Sequence, residues 1–412
     1  MLSRPRKIAL VIDRFDGRRG GASHWTRGFA QWLAACECDV HVLTRSVGPI
    51  EAGLPITIHT IDAPRSPLAF PRAVSQRLAA IQPILSHDMG AAIGCDIFQP
   101  HVGSVPACWE GSVASCPGWF RPVKRFCGLS PRYWRIRRLT SLQYSSSSRV
   151  FIALSQKVAR DMKTFHGVPA ERIRTIYNGI DLDRFSPWVH RSRRAALRRH
   201  FGIGVNEVLI VSLAHHFRLK GISVLIRAVK QLRSQGAPVK LLLCGGDRQS
   251  AHPKIDSGGA ILRCGNVEDV APLYAAADIC VHPTFYDACS LVTLEALASG
   301  LPVVTTYANG ASELITSGVN GLVLEHPYDS DALARALLPL VGNSDLHRDL
   351  GSAARRLMHM HSAERNYREI VAAYIHALSM RSIDSTAFEP LLLSADDNCR
   401  RRSDELENSL IG

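Results

Sequence analysis

The sequence predicts an α/β protein built as two Rossmann-like domains, and three observations carry that expectation. An apolar strand over 7–12, a Gly-bearing loop and a helix over 23–35 open the chain, which is how a Rossmann-like unit begins. The same order starts again near 208, with a strand over 208–213, a loop ending in Lys220-Gly221 and a helix over 222–234. At 412 residues the chain is longer than one ordinary core and suits two domains.

Composition narrows the class. Hydrophobic residues make up 46% and charged residues 21%, a globular balance. No apolar run reaches the ~18 residues of a membrane-spanning helix, and no apolar signal segment stands at the N-terminus. The 11 cysteines show no Cys-x-x-Cys pair and no finger spacing. Cys244, Cys280 and Cys289 lie in apolar runs, where cysteine acts as a small hydrophobe, so a reduced, cytoplasmic setting is expected. The net charge of +13 asks for an anionic partner: a nucleotide, a membrane surface or nucleic acid.

In the first domain, expected over 1–180, the strand at 7–12 leads into Asp16-Gly17-Arg18-Arg19-Gly20-Gly21. The Gly-x-Gly-x-x-Gly spacing is absent, which argues against a dinucleotide. Gly20-Gly21 by itself reads as a turn. A second strand is expected at 40–43, then a strand and a helix at 56–61 and 78–84. Residues 96–101 run as a strand into a loop that places His101 at a carboxyl strand end, where open α/β sheets bind ligands. A structural histidine is the plain alternative.

Basic and aromatic residues alternate from 118 to 138, with Trp119, Phe120, Arg121, Lys124, Arg125, Phe126, Arg132, Tyr133, Trp134, Arg135, Arg137 and Arg138. No acid occurs between Glu110 and Asp161. Such a composition suits an interfacial segment docked on an anionic membrane from the cytoplasmic side. A solvated basic face is the alternative. Nucleic acid also uses basic and aromatic residues, but no nucleic-acid-binding signature accompanies these, so that partner is not expected.

A strand at 150–155 and a helix ending before Gly167 follow, then Asn178-Gly179-Ile180-Asp181, whose Asn-Gly reads as a tight turn. The second domain, expected over 181–362, continues with strands at 239–244 and 261–267 and a short helix at 270–277. Two helices, 329–341 and 363–378, close the fold. The last, within 363–380, is expected to return to the first domain, and 381–412 to be a mobile tail without periodicity.

The most informative stretch is 280–306: a buried strand, a loop, an apolar helix, Gly300-Leu301-Pro302 and another strand. Glu295 is the only charged residue between Asp287 and Glu313. A carboxylate on so apolar a helix is costly without partners. It is either satisfied by backbone N–H groups or arginine, or it holds a polyhydroxylated ligand beside a helix N-terminus that suits an anion.

Asp287-x7-Glu295 before a small-residue helix and Gly-Leu-Pro-Val-Val resembles the donor-site signature of retaining GT-B glycosyltransferases of family four. Asn178-Gly179-Ile180-Asp181 and Asn309-Gly310-x-x-Glu313-x-Ile315 are similar to two further family motifs. The resemblance spans 7–378 and is strongest over 261–324, with the closest look to lipopolysaccharide-core, heptose-acceptor glucosyltransferases. It implies a GT-B fold, two Rossmann-like domains facing each other across a cleft. It implies transfer of a hexose from a nucleotide diphosphate sugar, a UDP-sugar most of all, to a cell-envelope or lipid-linked glycan, without cofactor or metal.

By the same resemblance Glu295 binds ribose, Asp287 and His101 face the donor sugar, and Lys220 with Arg218 meets the diphosphate. The N–H groups of Ala288, Cys289, Ser290 and Leu291 would share that charge, and Asn266 and Val267 would read the base. Gly20 and Gly21 would lie between donor and acceptor. The sequence departs from the family at Asp287, where Glu is usual, and at Ala214, where an Arg is usual. The rival readings are a GT-B protein that binds nucleotide sugar or lipid without turnover, and a peripheral membrane or nucleic-acid binder with a vestigial site. Oligomeric state is not legible.

Overall fold

A computed structural model describes residues 6–16, 20–49, 53–64, 66–128, 130–145, 149–246 and 259–393. Gly17, Arg18, Arg19, Asp247, the segment 394–412 and the side chain of Arg132 lie outside the described residues.

The first domain is a parallel sheet of seven strands in the order β3-β2-β1-β4-β5-β6-β7. β1 (Arg6–Phe15) has Ile8, Ala9, Leu10 and Val11 fully buried, because helices cover both faces of a parallel sheet. α1 (Gly21–Ala35) follows, then β2 (Cys38–Val47) and β3 (Thr57–Thr60). α2 (Ala69–Ile81), β4 (Leu85–Asp88) and β5 (Ile97–Phe98) come next. The expected helix at 78–84 is corrected here: α2 begins earlier, and 84–88 runs into β4 beside β1. Three helices then cross the rim, α3 (Val105–Ala114), α4 (Arg121–Cys127) and α5 (Pro131–Tyr144). β6 (Val150–Ala153), α6 (Gln156–His166) and β7 (Ile173–Thr175) complete the sheet.

The second domain opens with α7 (Arg191–His200), which the sequence reading passed over. Its five arginines obscure any apolar period; Arg194 and Arg198 fix it instead by pairing with Asp278. The sheet has the order β10-β9-β8-β11-β12-β13. Its elements are β8 (Val208–Ala214), α8 (Ile222–Ser234), β9 (Val239–Gly245) and β10 (Ile261–Gly265). α9 (Ala271–Ala276), β11 (Ile279–His282), α10 (Leu291–Ala298), β12 (Val303–Thr306) and β13 (Gly321–Leu324) follow. Cys244 and Cys264 form a disulfide across the adjacent strands β9 and β10. The reading of Cys244 as an apolar filler is corrected by that pairing: the ladder sets Gly265 opposite Cys244, and the irregularity between Arg263 and Gly265 leaves Cys264 beside it.

Three long helices follow where two were expected: α11 (Ser330–Gly342), α12 (Ser344–Met358) and α13 (Ala363–Met380). α13 returns to the first domain, where Ile370, Val371 and Tyr374 join the core of β1, β2 and α1. The expected mobile tail is corrected as far as 393. A short helical turn carries Phe388, and α14 (Pro390–Leu393) carries Leu391, both buried in that same core. Arg381 pairs with Asp96 and Arg6 donates to the Ala387 carbonyl, which pins the segment. One apolar cluster runs from Ala153, Leu154 and Val158 of the first domain to Ala288, Cys289 and Leu294 of the second, so the core crosses between the sheets.

Candidate active site

Parallel sheets place the carboxyl ends of their strands on one edge, and the loops there can converge on a ligand. β11 ends at His282, and the loop after it carries Asp287 toward the start of α10. The Lys220 ammonium stands 2.6 Å from Asp287 Oδ2 and donates also to the Tyr286 carbonyl at 3.2 Å. His282 Nε2 lies 3.2 Å from the same carboxylate oxygen. Burial alone would raise the Asp287 carboxyl, but Lys220 and His282 outweigh it and hold the group well below the usual carboxylate range. The sequence offered Lys220 and Asp287 separately. The structure makes them an ion pair.

α10 starts with Ser290 as its cap, the hydroxyl accepting from Thr293 N–H, while Ser290 N–H donates to Asn309 Oδ1 at 3.2 Å. An eight-residue helix with a positive N-terminal end thus begins four residues after Asp287. Glu295 lies further along α10. Its partner is neither arginine nor backbone but the Tyr274 hydroxyl of α9, which donates to Oε2 at 2.8 Å. Burial raises the Glu295 carboxyl to about 7, against the lowering pull of Tyr274 and Arg184. Asn266 is exposed and Val267 half-buried in the loop after β10, which leads through Asp269 into α9 and Tyr274.

The first domain meets this edge directly. A Cβ on Gly21 would stand 2.5 Å from Leu291 Cδ1, so the glycine loop touches the start of α10. Gly20, with φ of 84°, makes the left-handed turn that starts α1. Ser155 donates to the Ala288 carbonyl at 2.8 Å, and Asn178 Nδ2 to the Cys289 carbonyl at 3.1 Å. Tyr286 is buried between Gly103 and Gly111 of the first domain, each without room for a Cβ beside it. Its hydroxyl accepts from Ser104 N–H at 3.0 Å and donates to Asp161 at 3.4 Å, with Lys157 Nζ 3.8 Å from the ring centroid.

Glu313 completes the join. Its two oxygens accept from the N–H groups of Gln156 and Lys157, both at 2.7 Å, at the N-terminus of α6, and Tyr177 donates to it at 2.8 Å. Tyr286, Tyr274, His282 and the Glu313 partners were not singled out from sequence. Only adjacency to Asp287 and the Asn309–Glu313 motif hinted at two of them.

His101 sits beside Trp25 of α1, ring centroids 5.0 Å apart, and its Nε2 is buried without a hydrogen-bond partner. Burial lowers its pKa to about 4, so the ring is neutral at physiological pH. Arg218 is exposed and contacts Cys116 Sγ at 4.0 Å; the structure does not bring it to the Lys220–Asp287 pair. Asp181-Leu182-Asp183, an acid-x-acid triplet, lies after β7, where Asp181 Oδ1 accepts from the N–H groups of Asp183 and Arg184.

The basic-aromatic segment forms a short helical turn, α4 and α5. Trp119 is 80%, Phe126 74% and Trp134 67% exposed. Phe120 is half-buried against Trp119, Lys124 lies over the Trp109 ring and Arg121 caps the Ala114 and Cys116 carbonyls. Arg125 reaches Glu110 at 3.5 Å, while Arg135, Arg137 and Arg138 are exposed. No described helix is long and apolar enough to cross a membrane.

Residues 19–184 match the family model described as Glycosyltransferase Family 4, and residues 206–343 the one described as Glycosyl transferases group 1. The D-inositol 3-phosphate glycosyltransferase of Corynebacterium urealyticum is 25% identical over 388 residues, covering 87% of this chain and 91% of the relative. That of Salinispora arenicola is 29% identical over 430 residues, covering 90% and 93%. Among solved structures, WaaG, a glycosyltransferase involved in lipopolysaccharide biosynthesis, superposes with a TM-score of 0.75 at 21% identity, over 89% of this chain and 99% of that one. Anabaena Alr3699/HepE, solved in complex with UDP-glucose, gives 0.66 at 21% identity and the same coverage. At such identities the two structures are similar in fold.

Proposed function

We propose that the chain is a GT-B glycosyltransferase of family four, one that moves a hexose from a nucleotide diphosphate sugar to a lipid-linked or cell-envelope glycan with retention of anomeric configuration. The observation that carries this reading is the meeting of four features at one edge. They are the Lys220–Asp287 pair, the capped start of α10, Glu295 further along that helix and the glycine loop against Leu291. Lys220 exchanges its carboxylate partner for donor phosphate, and the first N–H groups of α10 take part of the leaving-group charge. Glu295 accepts ribose hydroxyls with the carboxylate that Tyr274 orients. Asp287 and neutral His101 face the sugar from the two domains, and Asn266 and Val267 border the base. With the diphosphate met by Lys220 and the helix start, transfer proceeds without a metal.

A thermal-shift series against UDP-, GDP- and ADP-sugars tests the donor, since a ligand at 100 times its Kd adds about 2.7 kcal/mol. Mass spectrometry of the hydrolysed sugars then separates turnover from binding alone. The reading fails if no nucleotide sugar shifts the melting point, or if turnover after EDTA treatment returns only with manganese or magnesium.

Two observations favour different acceptors. The relatives named for D-inositol 3-phosphate favour a small phosphorylated cyclitol. The exposed Trp119, Phe126 and Trp134 beside Arg135, Arg137 and Arg138 favour an acceptor held in an anionic membrane. Each Lys or Arg near such a surface contributes about 1 kcal/mol. Sedimentation with anionic but not zwitterionic vesicles, reversed by high salt and lost on replacing Arg132, Arg135, Arg137 and Arg138 by Ser, supports the membrane. Sedimentation of that variant at the wild-type level removes this acceptor reading.

A further inference from the structure

Behind His101 lies a polar cluster that the donor site does not use. His87, on β4, and Gln99, just after β5, are both fully buried. Gln99 N–H donates to the Asp88 carbonyl at 2.8 Å, which fixes its backbone to the strand that carries His87. Trp25 closes the group, its ring centroid 5.0 Å from His101 and 6.4 Å from His87. Nε2 of His87, Nε2 of His101 and both amide atoms of Gln99 are buried and make no well-formed hydrogen bond, although the Gln99 amide lies near enough to His87 to pull its pKa up against burial. Buried polar atoms are costly to leave unmade, and here four of them, on three neighbouring residues, gather in one place.

The far end of the cluster is anchored. His87 Nδ1 stands 2.8 Å from the Tyr374 hydroxyl of α13. A neutral imidazole has one donor and one acceptor nitrogen, so whichever way the Tyr374 bond runs decides whether His87 Nε2 offers a proton or a lone pair. A carboxamide carries both kinds of group and can pass either arrangement on. Burial lowers both imidazoles, which keeps them neutral and makes the tautomer the quantity at stake.

We propose that Gln99 and His87 are positioning residues for His101. Through the polar groups they gather behind its Nε2, they fix which ring nitrogen carries the proton. Nδ1 then presents the complementary state to the reacting sugar. This inference rests on the proposed role of His101 at the donor.

The test uses the full chain, with histidines labelled with nitrogen-15 and the His101 signals assigned from a His101→Asn variant. Gln99→Met keeps the length of the side chain and removes both amide groups. Its kcat for transfer or donor hydrolysis should fall at least tenfold, with donor KM within twofold of wild type. The nitrogen-15 pattern of His101 should change and the melting temperature should hold. Tyr374→Phe, measured in the same way, should alter the signals of both His87 and His101.

Wild-type kcat in Gln99→Met overturns the proposal, and so does an unchanged His101 pattern in either folded variant, even where kcat falls. Absence of turnover in the wild type strikes the donor reading instead, because the nitrogen-15 pattern reports on the cluster without catalysis.

Discussion

The two walls of the cleft solve the same problem in opposite ways. On the second domain the carboxylates are paired within the protein, Asp287 with Lys220 and His282, and Glu295 with Tyr274, while Nδ1 of His282 stays buried without a partner. On the first domain His101, His87 and Gln99 are neutral and hold unpaired atoms. The paired wall carries charge that a diphosphate and a ribose can take over by exchange. On the other wall these three side chains offer directional hydrogen bonds and carry no charge of their own. On the proposed reading, a site divided in this way would hold the leaving group by charge and orient the sugar by geometry.

Removing Lys220 should break the comparison most. Lys220→Ala leaves Asp287 without its main counter-charge and the diphosphate without a cation. Loss of one such stabilising group costs on the order of 100-fold or more in kcat. Arg218→Ala should cost less, because Arg218 contacts Cys116 and not the pair. Steady-state kinetics on both variants decide it, and equal losses would remove Lys220 from its principal role.

Glu295 sharpens the contrast between the two carboxylates. Glu295→Gln should weaken nucleotide binding about tenfold or more by calorimetry, given about 1.5–3 kcal/mol for a hydrogen bond to a charged group. Ribose hydroxyls favour the ionised carboxylate, so wild-type affinity should also fall as pH drops through about 7. The variant should lack that dependence.

Stability follows from the same titration. The Glu295 pKa is raised from 4.5 to about 7, so its contribution is complete below the unfolded value and is lost as pH rises through about 7. Asp287 has the reverse sign: it is held below its ordinary 3.8, so its contribution is present above that value and is lost as pH falls through the depressed one. Glu295→Gln should therefore melt higher than wild type at pH 8 and alike at pH 4. Identical melting at both pH values contradicts the raised carboxyl.

Tyr286 joins the walls, and its effect should be the smallest. Tyr286→Phe leaves the buried Ser104 N–H and the Asp161 oxygen without this hydroxyl. An unfolding free energy lower by about 1–3 kcal/mol is expected from denaturant titration. An unchanged value would show that packing between Gly103 and Gly111, not the hydroxyl, holds the domains together.

Local signals were legible in the chain itself. Strand, glycine loop and helix recur at the start of each half because buried strands are continuous apolar runs and helices need a stop. Glu295 stood out as a lone charge on an apolar helix, and the acid eight residues before it gave the site its spacing. Lys220-Gly221 and Gly20-Gly21 fell in loops at strand ends, where the fold collects ligands.

What only the tertiary structure decided are contacts between residues far apart in sequence. Lys220 and Asp287 pair across 67 positions and His87 and Tyr374 across 287. Likewise, Glu313 caps a helix of the other domain. The segment after 380 reads as aperiodic, yet Phe388 and Leu391 find a core made of residues from the opposite end of the chain. Periodicity records the face an element buries against its own sheet. It carries no record of which distant group will neutralise a charge or complete a hydrogen bond, because that energy exists only once the chain has closed on itself.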